Sequence, residues 1–321
     1  MISRRLLRIK ALMALYAFNR RDDGDLVQAE KELMFSIART YDLYHYILLL
    51  VIELSDIASE KIELGLKKKM PTHEDLNPNR RFSENPIILQ LRNNKDLGDF
   101  VLERKLSWVN SQEITRTIYN KMIAWEPYRE FMSSPKSTYA TDKKFITKLI
   151  TEFLVASDDL ITGLEEQSIF WNDDLEYVSA MIDKTLRKFK SDEPVNNKLM
   201  PLYKNEDDER FVKQLFRKAV INSKEYSGII DRNTTNWEVE RIALMDILVM
   251  QLAIAELVEF QEIPVKVTLN EYIEIAKFYC TSKSSTFVNG ILDKVVRELR
   301  ESGKFSKTGR GLVGDLESDE E

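Results

Sequence analysis

The sequence predicts an all-α protein. Glycine and proline number only 10 and 8 in 321 residues, so few positions interrupt a helix. Nearly every long segment spaces its apolar residues three and four apart, the repeat of one helix face. Strand-type alternation is missing.

Residues 2–18 read as a first helix, and 20–25 as a charged turn. Residues 27–69 read as one very long helix or two in succession, with Tyr41, Leu43, Tyr44, Ile47, Leu48, Val51, Leu54 and Ile57 as core. Three prolines between Pro71 and Pro86 mark the longest loop, because each fixes its φ and lacks an amide donor. Helices resume to about residue 190. Residues 192–209 are mostly polar around Pro194 and Pro201 and read as a linker.

The length suggests roughly two domains. With 31% charged residues and a formal net charge of -6, the chain is no generic nucleic-acid coat, although a local basic patch remains compatible. One cysteine, Cys280, excludes an intrachain disulfide framework and fits a reducing compartment. Two histidines, His45 and His73, argue against a histidine-rich metal centre. The N-terminus has positive charge before a short apolar run, but Lys10 breaks that run and Arg20-Arg21 follow it, so a secretory leader is not expected. No segment has the apolar length of a membrane span, and a cytoplasmic location is expected.

Trp108, Trp171 and Trp237 each close a short helical run and open another. Eleven residues earlier stand Leu97, Leu160 and Tyr226, and seven earlier Val101, Leu164 and Ile230. This spacing suits a helix-turn-helix unit repeated with an aromatic plug at its corner; chance alignment in a helical chain is the competing reading. Either way the tryptophans read as packing anchors.

The first helix carries Arg4, Arg5, Arg8 and Lys10, with Arg20 and Arg21 beyond, and no acid precedes Asp22. A helical projection puts Arg4, Arg5 and Arg8 roughly opposite Ile2, Leu6, Ile9, Met13 and Tyr16. Docked through that apolar stripe, the helix would present a rigid, solvent-facing guanidinium platform suited to phosphates and bases. Arginines carried merely for solubility are the plain alternative.

Toward the C-terminus, Phe211 to Val220 and Tyr226 to Ile230 are amphipathic, and Ile242 to Leu257 is so apolar that its helix should be central. Asp246 and Glu256 interrupt it, and each needs donors if buried; Arg241 is a candidate for Asp246. Pro264 ends that helix, and Thr268 with Glu271 have capping-box spacing, a better reading than a catalytic dyad. The polar loop CTSKSST, with Lys283, then leads to Phe287-Val288-Asn289-Gly290. We expect a fixed corner there, with Asn289 bridging loop backbone and Gly290 permitting close helix crossing.

These residues resemble the NusB family of transcription antitermination factors. At the front the likeness runs through Arg4-Arg5, Arg8, Ala11-Leu12 and Leu15-Tyr16. At the back it runs through Trp237, Arg241-Ile242, Asp246, Leu252-Ala253-Ile254, Glu256-Leu257, Pro264 to Val267, Leu269-Asn270-Glu271, Glu274 to Lys277 and Phe287 to Asp293. Ile247 and Gln251 depart from it, standing where the family usually carries arginine. The resemblance implies a NusB-like helical bundle with an additional helical insert or subdomain: a basic first helix, residues 1–20, packing with a C-terminal module at 201–302. The insert spans 21–200. Residues 303–321, rich in glycine and charge, read as a disordered acidic tail.

It also implies binding of box A-like single-stranded RNA with a NusE-type ribosomal protein, within an RNA polymerase antitermination complex that promotes ribosomal RNA transcription. Arg4, Arg5, Arg8, Lys10, Lys283 and Phe287 are the expected RNA-binding residues. Asp246, Glu256, Thr268, Asn270, Glu271, Lys277, Asn289 and Gly290 are the expected structural signature. No cofactor, metal or membrane association is expected. The alternative is a helical protein-interaction module with weakened or lost RNA binding. An RNA-modifying enzyme is disfavoured, because no glycine-rich loop or α/β pattern is present to hold a cofactor.

Overall fold

The computed structural model describes residues 1–21, 24–193, 195–234, 242–303 and 306–313. Among these the regular structure is all helical. The α-helices are α1 (Arg4–Asn19), α2 (Leu26–Leu66), α3 (His73–Leu76), α4 (Pro86–Arg92), α5 (Lys95–Arg104), α6 (Gln112–Ala124), α7 (Glu126–Ser133) and α8 (Tyr139–Lys148). They continue with α9 (Asp158–Gln167), α10 (Leu175–Lys188), α11 (Glu206–Ile221), α12 (Ser223–Asn233), α13 (Leu244–Glu259), α14 (Val265–Tyr279) and α15 (Ser284–Glu301). A π-helical turn, Leu149–Leu154, extends α8.

Two compact units result. The terminal unit comprises Ile2–Ile37 and Tyr203–Glu321; the central unit comprises Met1 and Ala38–Leu202. The stretch expected to be one or two helices is a single one, α2, contributing residues 26–37 to the terminal unit and 38–66 to the central unit.

In the terminal unit α13 is the hub, as its composition predicts. Leu248 through Leu257 are all buried, and α1, α11, α12, α14 and α15 pack around it. A side chain buried on every face stabilises the helix by area rather than by propensity, at roughly 25 cal/mol per Å² of apolar surface. Residues 306–313, part of the stretch read as a tail, lie against the end of α13. The Lys307 ammonium donates to the Leu257 and Phe260 carbonyls at 2.9 and 3.1 Å, and Gly309–Leu312 form a 3₁₀ turn. A cation there satisfies carbonyls that have no partner within the helix.

In the central unit, Leu43, Tyr44, Ile47, Leu48, Val51, Leu54 and Ile57 of α2 are buried as expected, while Tyr41 is half-buried. Trp108 and Trp171 are buried anchors. Their indole N–H groups donate to the Tyr46 and Arg39 carbonyls of α2 at 3.0 and 2.7 Å. The Tyr46 ring stacks on Trp108 at 4.0 Å and on Trp171 at 5.4 Å. The first two units of the suggested repeat share their local structure. In each, an Asn94 or Ser157 side chain caps a helix of ten residues, and the tryptophan sits at a 3₁₀ turn before the next helix. Trp237, the third anchor, and Arg241 lie outside the described residues.

Much of the stretch read as a linker is docked. The Asn197 side chain bonds to Lys190 and Glu193 backbone, its carbonyl accepts from Asn94 at 2.6 Å, and Met200 exchanges hydrogen bonds with Tyr41 and Tyr44.

His45 is sealed among aromatic rings, stacked on Phe100 at 3.7 Å with Tyr41 and Tyr44 edge-on. Burial drives its pKa down to about 4, against a smaller opposing pull from the Tyr41 carbonyl and Asp42. The folded state therefore resists a proton that the unfolded chain accepts near pH 6.5. This contribution to stability is full above pH 6.5 and is lost as pH falls through 4, on the order of 3 kcal/mol. Urea unfolding of wild type and His45→Gln across pH 7 to 4 should show a steeper loss in wild type. Parallel curves would contradict the assignment.

Candidate nucleic-acid interface

The expected basic platform begins at Ser3, whose hydroxyl caps α1 by accepting from the Leu6 amide at 3.2 Å. Arg8 does not face solvent. It is 3% exposed and grips Glu256 of α13, which is 0% exposed, through Nε and Nη2, each at 2.7 Å from a carboxylate oxygen. Thr268 Oγ1 and the Tyr272 hydroxyl of α14 donate to the same carboxylate at 2.9 and 3.2 Å. Burial alone would disfavour the Arg8 cation, but the attraction and hydrogen bonds of Glu256 outweigh it and the net shift is upward. Burial, and next the Glu256 charge, raise the Tyr272 phenol well above its ordinary value, so it stays protonated and can donate.

The solvent-facing reading of Arg8 is thus corrected, and for a physical reason. The buried carboxylate on α13 needed a donor, and α1 supplies it from 248 residues away. Lys10 is corrected likewise, being only 7% exposed. Arg4 and Arg5 remain near the surface, each with a side chain 42% exposed. Arg5 binds Glu271 of α14 through two hydrogen bonds of 2.9 and 2.8 Å. Arg4 donates at 2.9 Å to Asp208, an acid in the first turn of α11. The Arg4 and Arg8 guanidinium carbons lie 5.0 and 5.2 Å from the Phe211 ring centre, a cation–π arrangement. Of the outlying arginines, Arg20 covers Tyr16 and Arg21 pairs with Glu32.

The expected capping box is not formed. α14 starts a turn earlier, at Val265, with Pro264 at the cap position, where its missing amide costs nothing. Thr268 is consequently interior and Glu271 turns to Arg5. The corner is also shorter than expected. α15 begins at Ser284, so Phe287, Asn289 and Gly290 are helical residues rather than a turn. Gly290 is exposed with nothing within 4 Å of an added Cβ, so it mediates no close helix crossing. Asn289 reaches Asp293 at 3.4 Å within its own helix. Phe287 is half-buried, whereas Lys283 is exposed and among the described residues has no salt-bridge partner. Asn270 and Lys277 are exposed, Lys277 pairing with Glu274.

Asp246 accepts from Ser284 at 2.9 Å, tying the start of α13 to the start of α15. Its second oxygen has no hydrogen-bond partner among the described residues. Burial first, then the neighbouring Asp246 carboxylate, push the Cys280 thiol above its ordinary range. Asp208, Phe211 and Tyr272 are members of this surface and its support that the sequence reading missed as site residues. The acid-rich start of α11 was the available signal for Asp208. No group of histidine, cysteine and carboxylate side chains among the described residues is placed to hold a metal.

The α10–α15 portion of the chain is that of a known helical family. The family model described as NusB family matches residues 173–297. A "Transcription antitermination protein NusB" of Salinibacter ruber is 42% identical over 115 residues, 36% of this chain and 72% of that protein. Proteins of the same name from Chloroherpeton thalassium and Acetivibrio thermocellus are 43% and 34% identical, over 49% and 77% of their own lengths and 32% and 35% of this chain. The chain belongs to the NusB family. No solved structure matches it. The family match stops short of α1 and of most of the central unit.

Removing one partner of the interior pair should expose its importance. Arg8→Ala strands a buried carboxylate and should cost about 3–5 kcal/mol, while Arg8→Met with Glu256→Leu should recover most of the loss. Denaturant unfolding followed by helicity measures both. A loss below about 1 kcal/mol for Arg8→Ala would remove the pair from its structural role.

Proposed function

We propose that this protein is a non-enzymatic transcription antitermination factor of the cytoplasm. It binds box A-like nascent RNA together with a NusE-type ribosomal protein, within an RNA polymerase complex that promotes ribosomal RNA transcription. The observation that carries the reading is the pair of half-exposed guanidinium groups, Arg4 and Arg5, held on α1 against the NusB-family helices α11 and α14. Each is oriented by a carboxylate, which holds its fork in place for a phosphate or a base edge. Lys283 at the start of α15 supplies a further exposed cation, and Phe287 a partly accessible ring. Arg8 and Lys10 belong in this reading to the support of the surface. Among the described residues no helix is long and apolar enough to cross a membrane.

A second reading is a helical protein-interaction module with little RNA affinity. It is favoured by the neutralisation of Arg8 and by the exposed apolar side chains Leu102, Val109 and Ile169 of the central unit.

Titration of a labelled box A-like single strand, with and without the ribosomal protein, separates the two. Arg4→Ala/Arg5→Ala should weaken binding by roughly tenfold and lower the slope of log affinity against log salt by about 1.4, since each of two phosphate contacts on a single strand contributes about 0.7. Equal affinity and slope for variant and wild type would sink the site assignment. A stable protein complex without RNA affinity would favour the second reading.

A further inference from the structure

The last turn of α14 leaves one aromatic side chain in the open. Phe278 is 76% exposed, and among the described phenylalanines only Phe35 is also open to solvent, at 50%. A lone apolar side chain on a surface is ordinary. Its surroundings set Phe278 apart. Lys277 precedes it, Thr281 and Ser282 follow, Lys283 opens α15, and all four are exposed. On α14, Phe278 lies seven residues beyond Glu271, which is two helical turns, about 10 Å, along one stripe. Glu271 is the residue that holds Arg5. Glu274, between them on that stripe, is matched by Lys277, with Arg5 adding to its stabilisation as an anion.

We propose that Phe278 is a stacking platform for one base of a single-stranded RNA, standing on the α14 stripe that begins at Glu271, the partner of Arg5, and five residues ahead of the exposed Lys283. The inference rests on the RNA-binding reading above and names a base-holding residue within it. Single-strand recognition combines cations that track the phosphates with exposed rings on which bases stack. A protein-docking surface would instead group several apolar side chains around the ring. Here the residues flanking the ring in sequence are polar or charged, the one carboxylate a turn away, Glu274, is matched by Lys277, and the nearest exposed apolar residue earlier on the helix is Val267, three turns away. The half-buried Phe287, the ring that sequence alone nominated, has less face to offer.

The test uses the full chain and a box A-like RNA carrying single 2-aminopurine substitutions. Phe278→Ala should weaken binding about tenfold, the loss expected for one stacked base, while leaving the salt slope unchanged. Phe278→Tyr should restore affinity, and quenching of one 2-aminopurine should disappear in the alanine variant and return with tyrosine. Unchanged affinity and quenching in Phe278→Ala, alongside weakened binding in Arg4→Ala/Arg5→Ala, would overturn the platform and leave the RNA reading standing. A Phe278→Ala variant that loses the ribosomal protein but keeps RNA would overturn it in favour of a protein contact. Failure of wild type to bind the RNA at low salt would overturn both. Because Phe278 is a surface side chain, matching circular dichroism spectra for the variants secure the comparison.

Discussion

The terminal unit depends on one ion pair between the first helix and the most buried one. Arg8 and Glu256 are nearly absent from solvent, and each would be costly to bury without the other. Their fork-to-carboxylate geometry fixes both the distance and the rotation of α1 on α13, which apolar packing alone does loosely. Thr268 and Tyr272 complete the carboxylate's hydrogen bonds from α14, so three helices converge on a single acidic group. A buried polar cluster of this kind is secure because every acceptor is engaged.

That arrangement explains why so basic a helix sits in an acidic protein. The positive charge of α1 is divided between an interior share, held by Glu256, and a peripheral share, restrained by Glu271 and Asp208. The peripheral pairs are partly exposed and worth little to stability in water. Glu271 also lies 3.7 Å from Arg8 Nη1, so it links the peripheral share to the interior pair. Arg4 and Arg5 are thus held by weak, partly exposed pairs, whereas Arg8 is committed to the interior.

Much of the fold was legible in the sequence. The all-helical class, the central place of α13 and the packing roles of Trp108 and Trp171 follow from periodicity and composition. What periodicity could not supply was the partner across the chain. It assigned Arg8 to the solvent face because an arginine opposite an apolar stripe ordinarily belongs there, and it left Glu256 as a carboxylate in need of a donor. Each of these was the other's solution, but a separation of 248 residues carries no local signal. Local chemistry also misplaced helix starts. Thr268 and Glu271 had cap spacing, yet Pro264 began α14 earlier, and Ser284 began α15 ahead of the expected corner. Phe278 drew no attention in the sequence, where it stands between the exposed Lys277 and the half-buried Tyr279.

The environment of Cys280 has a consequence for chemical labelling. The chain has a single cysteine, and its thiol is partly buried beside the negative Asp246, which disfavours the thiolate that reacts with electrophiles. Alkylating reagents should consequently modify the native protein slowly near neutral pH. A cysteine introduced at an open position such as Thr286 or Gly290 would react first. The wild-type thiol need not be removed, and a fluorophore or spin label can be set beside the α14–α15 corner while the contacts around Asp246 stay intact.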